Sequence, residues 1–322
     1  MFRQFFLVTI MLLLLPRQTL TFLHTRSPPL HLPRLLSTQY TIDPPSRNET
    51  VKLLPLLSRI HTNKQNFLAH HVVPAHTIAA FDSFKALLPN LPSLNGARNL
   101  ILDHGCGTGT STYNLAALHP NHYVLGIDRS SDRLSRGRTF PPDSHLFLDP
   151  SNPRVILLRA EISSFMILLS SFLTAPDFSF TVTHQKIYYP NPYPPTKLLS
   201  SRVYGLPSFP ILLSLGGEIE LRSNWEHYVD QFSIAVQALD ELEQRSPRPI
   251  SKRVLPSAAP GVSRFEDKYF KCNEACFGTT FLPPPLTNSR KRDRRHVRRG
   301  VVQTGVHSVP GERKSPANYE LS

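Results

Sequence analysis

The residues best equipped for chemistry lie together at 102–111, Leu-Asp-His-Gly-Cys-Gly-Thr-Gly-Thr-Ser. Glycines at 105, 107 and 109 let a backbone turn sharply and let a ligand lie against it with no Cβ in between. One acid, Asp103, stands two residues before Gly105, and a second, Asp128, follows Gly109 by 19 residues. Glu161 is a third acid, in the run Arg-Val-Ile-Leu-Leu-Arg-Ala-Glu. As a helix-start acid or as a ligand it reads equally well.

Those residues need elements to hold them, and the chain supplies an alternation of short apolar runs with helical stretches. Strands are expected at 99–103, 123–127, 155–158, 186–189 and 218–222, with helices at 110–118, 130–136, 162–172 and 225–242. In the last helix Tyr228, Phe232, Ala235 and Leu239 share one face. Repeated β-α alternation of this kind implies an α/β fold, Rossmann-like and doubly wound around a mostly parallel sheet, with ligands at the strand C-termini. Asp128 closes the second expected strand, and the glycine turn follows the first.

A dinucleotide-binding dehydrogenase would place its third glycine three positions after the second, where this chain has Thr110. The G-x-G-x-G spacing behind Asp103 instead resembles motif I of class I S-adenosylmethionine (SAM)-dependent methyltransferases. Three later segments extend the resemblance: Tyr188-Tyr-Pro-Asn-Pro-Tyr, Gly216-Gly-Glu-Ile-Glu-Leu-Arg-Ser-Asn-Trp-Glu-His-Tyr228 and Ser263-Arg-Phe-Glu266. In this order they resemble the tRNA (guanine-N7)-methyltransferase family, with its P-D-P-W, G-G-x-x-x-x-x-T-D-W-x-x-Y and T-[KR]-[FY]-E motifs. The likeness covers roughly 95–282 and implies the seven-stranded class I sheet.

The resemblance also implies roles. Asp103, Gly105, Gly107, Gly109, Asp128 and Glu161 would meet SAM, with Asp103 near its methionine part and Asp128 on its ribose. Asn191 stands where the family has its catalytic aspartate. Tyr193, Lys197, Arg202, Asn224, Arg264 and Glu266 would meet a tRNA substrate, although Arg264 and Glu266 could equally pair with each other. The chain departs from the family at Asn191, at Ser223-Asn224 for Thr-Asp, and in a basic stretch thinned to Lys197 and Arg202. An asparagine can hydrogen-bond a base edge but cannot neutralise the positive charge that N7 methylation creates, so slower turnover or another base stays open. So does a catalytically weak RNA-binding subunit, or the same fold acting on another RNA or a small molecule. Trp225 reads more readily as a core anchor than as a stacking platform.

Composition sets the remaining bounds. The net charge of +13 is concentrated at the ends: 1–42 carries +4 with no acid, 289–314 carries +7, and 43–288 only about +3. The block Ser-Arg-Lys-Arg-Asp-Arg-Arg-His-Val-Arg-Arg-Gly at 289–300 has no apolar periodicity. It reads as a solvated arm (286–322) able to hold phosphates without reading sequence. At the other end, 5–16 is an apolar run too short to span a bilayer. An acid-free, Arg/Ser/Thr/Pro-rich stretch follows it, and the pair resembles a bipartite plastid leader (1–42), with a mitochondrial or secretory route as the rivals. After removal of that leader no stable membrane insertion is expected. A helical extension is expected over 43–94, with the methyltransferase domain over 95–285. Three cysteines are too few for a disulfide scaffold. Cys272 and Cys276 lack a second ligand pair, so no metal is expected. No partner subunit is identifiable.

Overall fold

The computed structural model describes residues 47–284 apart from 137, 139, 141–144, 175–179, 195 and 258–259. The expected leader and basic tail lie outside the described residues.

Helices α1 (Arg47–Thr62), α2 (Lys64–His70) and α3 (Ala75–Leu87) come first. They are followed by β1 (Asn99–His104), α4 (Thr110–Leu118), β2 (His122–Asp128), α5 (Ser131–Leu134), β3 (Leu146–Leu148), β4 (Val155–Arg159), α6 (Ile162–Phe172) and β5 (Thr181–Tyr188). The remainder is α7 (Phe209–Ser214), β6 (Glu218–Ser223), α8 (Glu226–Leu242), β7 (Ile250–Val254), α9 (Arg264–Lys271) and β8 (Phe277–Phe281). Among the described residues no helix is long and apolar enough to cross a membrane.

The strands form one sheet in the order β3-β4-β2-β1-β5-β6-β8-β7. The five from β4 to β6 run parallel, and the other three pair antiparallel at the margins. This is the doubly wound, mostly parallel sheet that the sequence predicts, with eight strands instead of seven. β3, β7 and β8 lie beyond the five strands expected, and for the first two the reason is physical. β3 has three residues, all half-buried, and β7 is exposed at every position, so neither shows an apolar face. The helix expected at 130–136 is a single turn, α5.

Strand order places the site. From β1 the chain moves outward through β2 to β4, then returns by way of α6 to β5 on the other side of β1. The crevice at such a reversal, beyond the strand C-termini, is where doubly wound sheets take ligands. Side chains alternate across the sheet. Leu100 and Leu102 of β1 therefore join the core under α3, α6, α7 and α8, while Ile101 joins the smaller core under α4 and α5. By the same alternation Asp103 and His104, side by side at the end of β1, face opposite layers.

Two further contacts shape the crevice. Gly126 of β2 lets α4 and the glycine turn approach closely, since a Cβ there would lie 2.4 Å from Thr112 Oγ1. From the other layer α3 packs Phe81 and Phe84 edge-on to Phe165 of α6, at ring separations of 5.7 and 6.0 Å. All four α8 residues predicted to share a face (Tyr228, Phe232, Ala235 and Leu239) are fully buried.

Candidate functional site

A cavity of about 870 Å³ opens at the C-terminal ends of β1, β2 and β5. Its floor is the glycine turn. Gly105, Gly107 and Gly109 have φ of +75°, +60° and +82°, a left-handed region that side chains disfavour. At Gly109 a Cβ would also meet Leu157 at 3.1 Å. The turn is clamped to β2: the N–H groups of Gly105 and Cys106 donate to Ile127 O, at 2.8 and 3.1 Å. Gly107 N–H donates to Asp128 Oδ2 at 3.0 Å. The other Asp128 oxygen accepts from Ser130 N–H at 2.8 Å and from Arg133 Nη2 at 3.0 Å. Gly105, Gly107 and Asp128 line the cavity, and Gly109 supports them from behind at the start of α4.

Asp103 is not on the cavity wall. It turns under α4, where its Oδ2 accepts from Ser111 Oγ at 2.6 Å and Thr112 Oγ1 at 2.7 Å. The family resemblance implies a place near the methionine part of a cofactor; the structure makes Asp103 a brace between β1 and α4. Burial pushes its carboxyl from 3.8 up to about 6, against the two hydroxyl bonds. Between those values the folded protein holds a proton that the unfolded chain has released. This group's contribution to stability therefore falls as pH rises from about 4 to about 6. Asp103→Asn should remove that slope. In urea unfolding at pH 4 and pH 7, the wild type should lose on the order of 3 kcal/mol relative to the variant.

Glu161 lines the cavity and also caps α6. Its two oxygens accept from Ser163 N–H at 3.1 Å and Ser164 N–H at 2.7 Å. Its own N–H donates to Thr77 Oγ1 of α3 at 3.0 Å. The helix-start role is therefore realised, at a position that also faces the cavity.

The opposite wall is the loop after β5. Asn191 and Tyr193 line the cavity, and Asn191 Oδ1 accepts from Tyr193 N–H at 3.1 Å. Tyr189 and Tyr193 both have positive φ, at 52° and 43°. Such a loop holds only if it is pinned, and two residues expected to meet substrate do the pinning instead. Arg202 is fully buried behind the loop and donates to Tyr193 O, to Pro194 O at 3.2 Å and to Gln231 Oε1 at 2.6 Å. Glu266, 2% exposed, accepts from Tyr189 OH at 2.9 Å and from Arg222 at 3.1 Å. Glu266 is thus paired with Arg222, and Arg264 is left exposed on the cavity wall. Lys197 is exposed and away from the cavity. Asn224 lines the cavity and donates to Glu274 at 3.1 Å. Trp225 packs on the main core, as the core-anchor reading expects, and it also forms part of the cavity wall.

Behind this wall Glu220 joins Lys186, Arg222, Arg253 and Tyr188 OH. Burial would raise its carboxyl, but Lys186 and Arg222 outweigh that and bring it down to about 2. The sequence reading missed this cluster, and it missed Arg129, Arg136 and Lys268 on the cavity wall. Arg129, Arg136, Arg264 and Lys268 are exposed, and none has a carboxylate partner among the described residues. His104 also lines the cavity and was missed, because it occupies a variable position of the glycine motif.

No family profile matches the chain, and no curated protein sequence matches it. Solved structures do. One titled an antibiotic-related methyltransferase is 13% identical, with 62% of this chain and 94% of that one covered at a TM-score of 0.40. The 16S rRNA methyltransferase KamB is 14% identical over 63% and 94%, also at 0.40. The antibiotic-resistance methyltransferase Kmr is 16% identical over 63% and 94%, at 0.39. Overlap at that level fixes neither a substrate nor the role of any residue.

Proposed function

We propose that the protein is a SAM-dependent methyltransferase acting on RNA, with N7 of a guanine in tRNA as its target. The observation that carries this reading is one cavity with the glycine turn and Asp128 on one wall and Asn191, Trp225 and unpaired cations on the others. When bound, SAM supplies an electrophilic methyl group on a sulfonium.

The residues present fit that group. Asp128 offers a carboxylate to ribose hydroxyls at the end of β2, where the half-exposed Arg133 can yield its place. Gly105 and Gly107 have nothing closer than 3.9 Å to a built Cβ, so the floor is open for a ligand. His104 adds a buried nitrogen without a partner at the same wall.

The substrate wall suits a nucleophile that needs no base. N7 of guanine carries an in-plane lone pair and no proton, so the protein must chiefly align it with the methyl group. Alignment alone can contribute about 7–11 kcal/mol at the limit. Tyr189 and Tyr193 flank Asn191 in this loop, and burial pushes the Tyr189 phenol well above its usual range, so it keeps its proton. Asn191 can hydrogen-bond a base edge. Since it cannot neutralise the charge formed on the purine, methylation of a different base is the second reading.

The four unpaired cations supply phosphate contacts around the cavity, and the basic tail adds others. In the proposed setting the leader carries the enzyme to an organelle, and the plastid fits its composition best. Reversing two of the cations, Arg264→Glu with Lys268→Glu, should raise KM for tRNA roughly tenfold at 100 mM salt while kcat stays within about twofold. An unchanged KM would remove these residues from the RNA-binding surface.

A further inference from the structure

Gln185 fixes the tautomer of His104 at the cavity wall. Gln185 lies fully buried on β5, and its Nε2 donates to Leu212 O at 3.0 Å and Gly216 O at 2.7 Å. Carbonyl oxygens only accept, so the amide has one orientation and its Oε1 faces His104. That oxygen also only accepts. The 3.1 Å contact to His104 Nε2 therefore requires the proton to sit on Nε2. In the neutral ring this leaves a bare lone pair on Nδ1. Burial pushes the imidazole from 6.5 down to about 4, the Gln185 bond opposing, so it stays neutral at physiological pH.

Nδ1 itself is buried and has no hydrogen-bond partner among the described residues, although His104 lines the cavity. An unpaired buried acceptor is costly unless something bound there donates to it.

Strand order says which part of a ligand that is. Along the sheet edge β4, β2, β1 and β5 follow one another, ending in Glu161, Asp128, His104 and the Asn191 loop. With the ribose on Asp128 and the methyl acceptor at Asn191, the group over β1 is the amino-acid end of the cofactor. We propose that His104 Nδ1 accepts a hydrogen bond from the α-ammonium of that methionine end, and that Gln185 positions the ring in the accepting tautomer. The assignment rests on the SAM reading above. A neutral acceptor suits the place, because an imidazolium would repel both the ammonium and the sulfonium.

The test uses two ligands on the full chain: S-adenosylhomocysteine, which has the ammonium, and 5′-methylthioadenosine, which keeps adenine, ribose and sulfur but lacks the amino-acid end. By calorimetry, His104→Leu should weaken S-adenosylhomocysteine about 10- to 100-fold and leave methylthioadenosine within about twofold. His104→Asn, whose Oδ1 can stand near the lost Nδ1, should recover most of the loss. In wild-type protein with ¹⁵N-labelled histidine, the Nδ1 resonance of His104 should move with S-adenosylhomocysteine and stay in place with methylthioadenosine. If both ligands bind the wild type and the leucine variant weakens both equally or neither, or if the resonance does not respond, the assignment is wrong while the SAM reading stands. If the wild type binds neither ligand, the SAM reading fails and takes the assignment with it.

Discussion

Asp128→Ala should abolish measurable cofactor binding, with S-adenosylhomocysteine affinity falling at least about 100-fold. The carboxylate would meet two ribose hydroxyls, and hydrogen bonds to a charged group contribute about 1.5–3 kcal/mol each. It also ties Gly107 and Ser130 to the end of β2, so its loss loosens the floor of the cavity as well. Two companions separate these contributions. Asp128→Asn keeps one accepting oxygen and should lose only about tenfold. Arg133→Ala removes the one side chain bonded to Asp128 among the described residues and should leave affinity unchanged or higher. Calorimetric titration of the three variants checks the set. Wild-type affinity in Asp128→Ala would move the ribose elsewhere.

The second large effect is a gain. Asn191→Asp should raise kcat for guanine N7 methylation by roughly tenfold, because a carboxylate at that point offsets the positive charge forming on the purine in the transition state. The side chain sits exposed on the cavity wall with its Oδ1 used to hold Tyr193 N–H, and an aspartate oxygen preserves that bond. The loop should therefore keep its shape, with KM nearly constant and the change in kcat. Asn191→Ala loses both the turn contact and the base-edge contact and should lower kcat about 100-fold. Initial rates on saturating tRNA decide between these outcomes. If Asn191→Asp slows the reaction, the preferred acceptor is not a nitrogen that becomes cationic.

What the sequence made legible was local. The glycine turn and Asp128 could be read because the motif, the strand ahead of it and the acid that closes the next strand all lie within 30 residues. The parallel sheet followed from the same alternation, and the buried face of α8 from its period. What it hid was long-range or lacked periodicity. Glu266 pairs with Arg222 across 44 positions, and His104 meets Gln185 across 81. Arg202 and Arg264 are the same residue type, yet one is sealed behind the Tyr193 loop and the other stands on the cavity wall. Composition cannot distinguish them; only the packing of α8 and of the 3-10 turns Thr196–Ser201 and Val203–Gly205 around Arg202 does. Asp103 shows the same limit in reverse. The motif places an acid there, but strand alternation turns it away from the cavity and onto Ser111 and Thr112.

The most direct test of the account is chemical. The purified protein is incubated with methyl-labelled SAM and total tRNA, and the RNA is digested to nucleosides and separated. The account predicts label in 7-methylguanosine, lost in Asp128→Ala. Absence of label in any nucleoside, together with no binding of SAM, would contradict it.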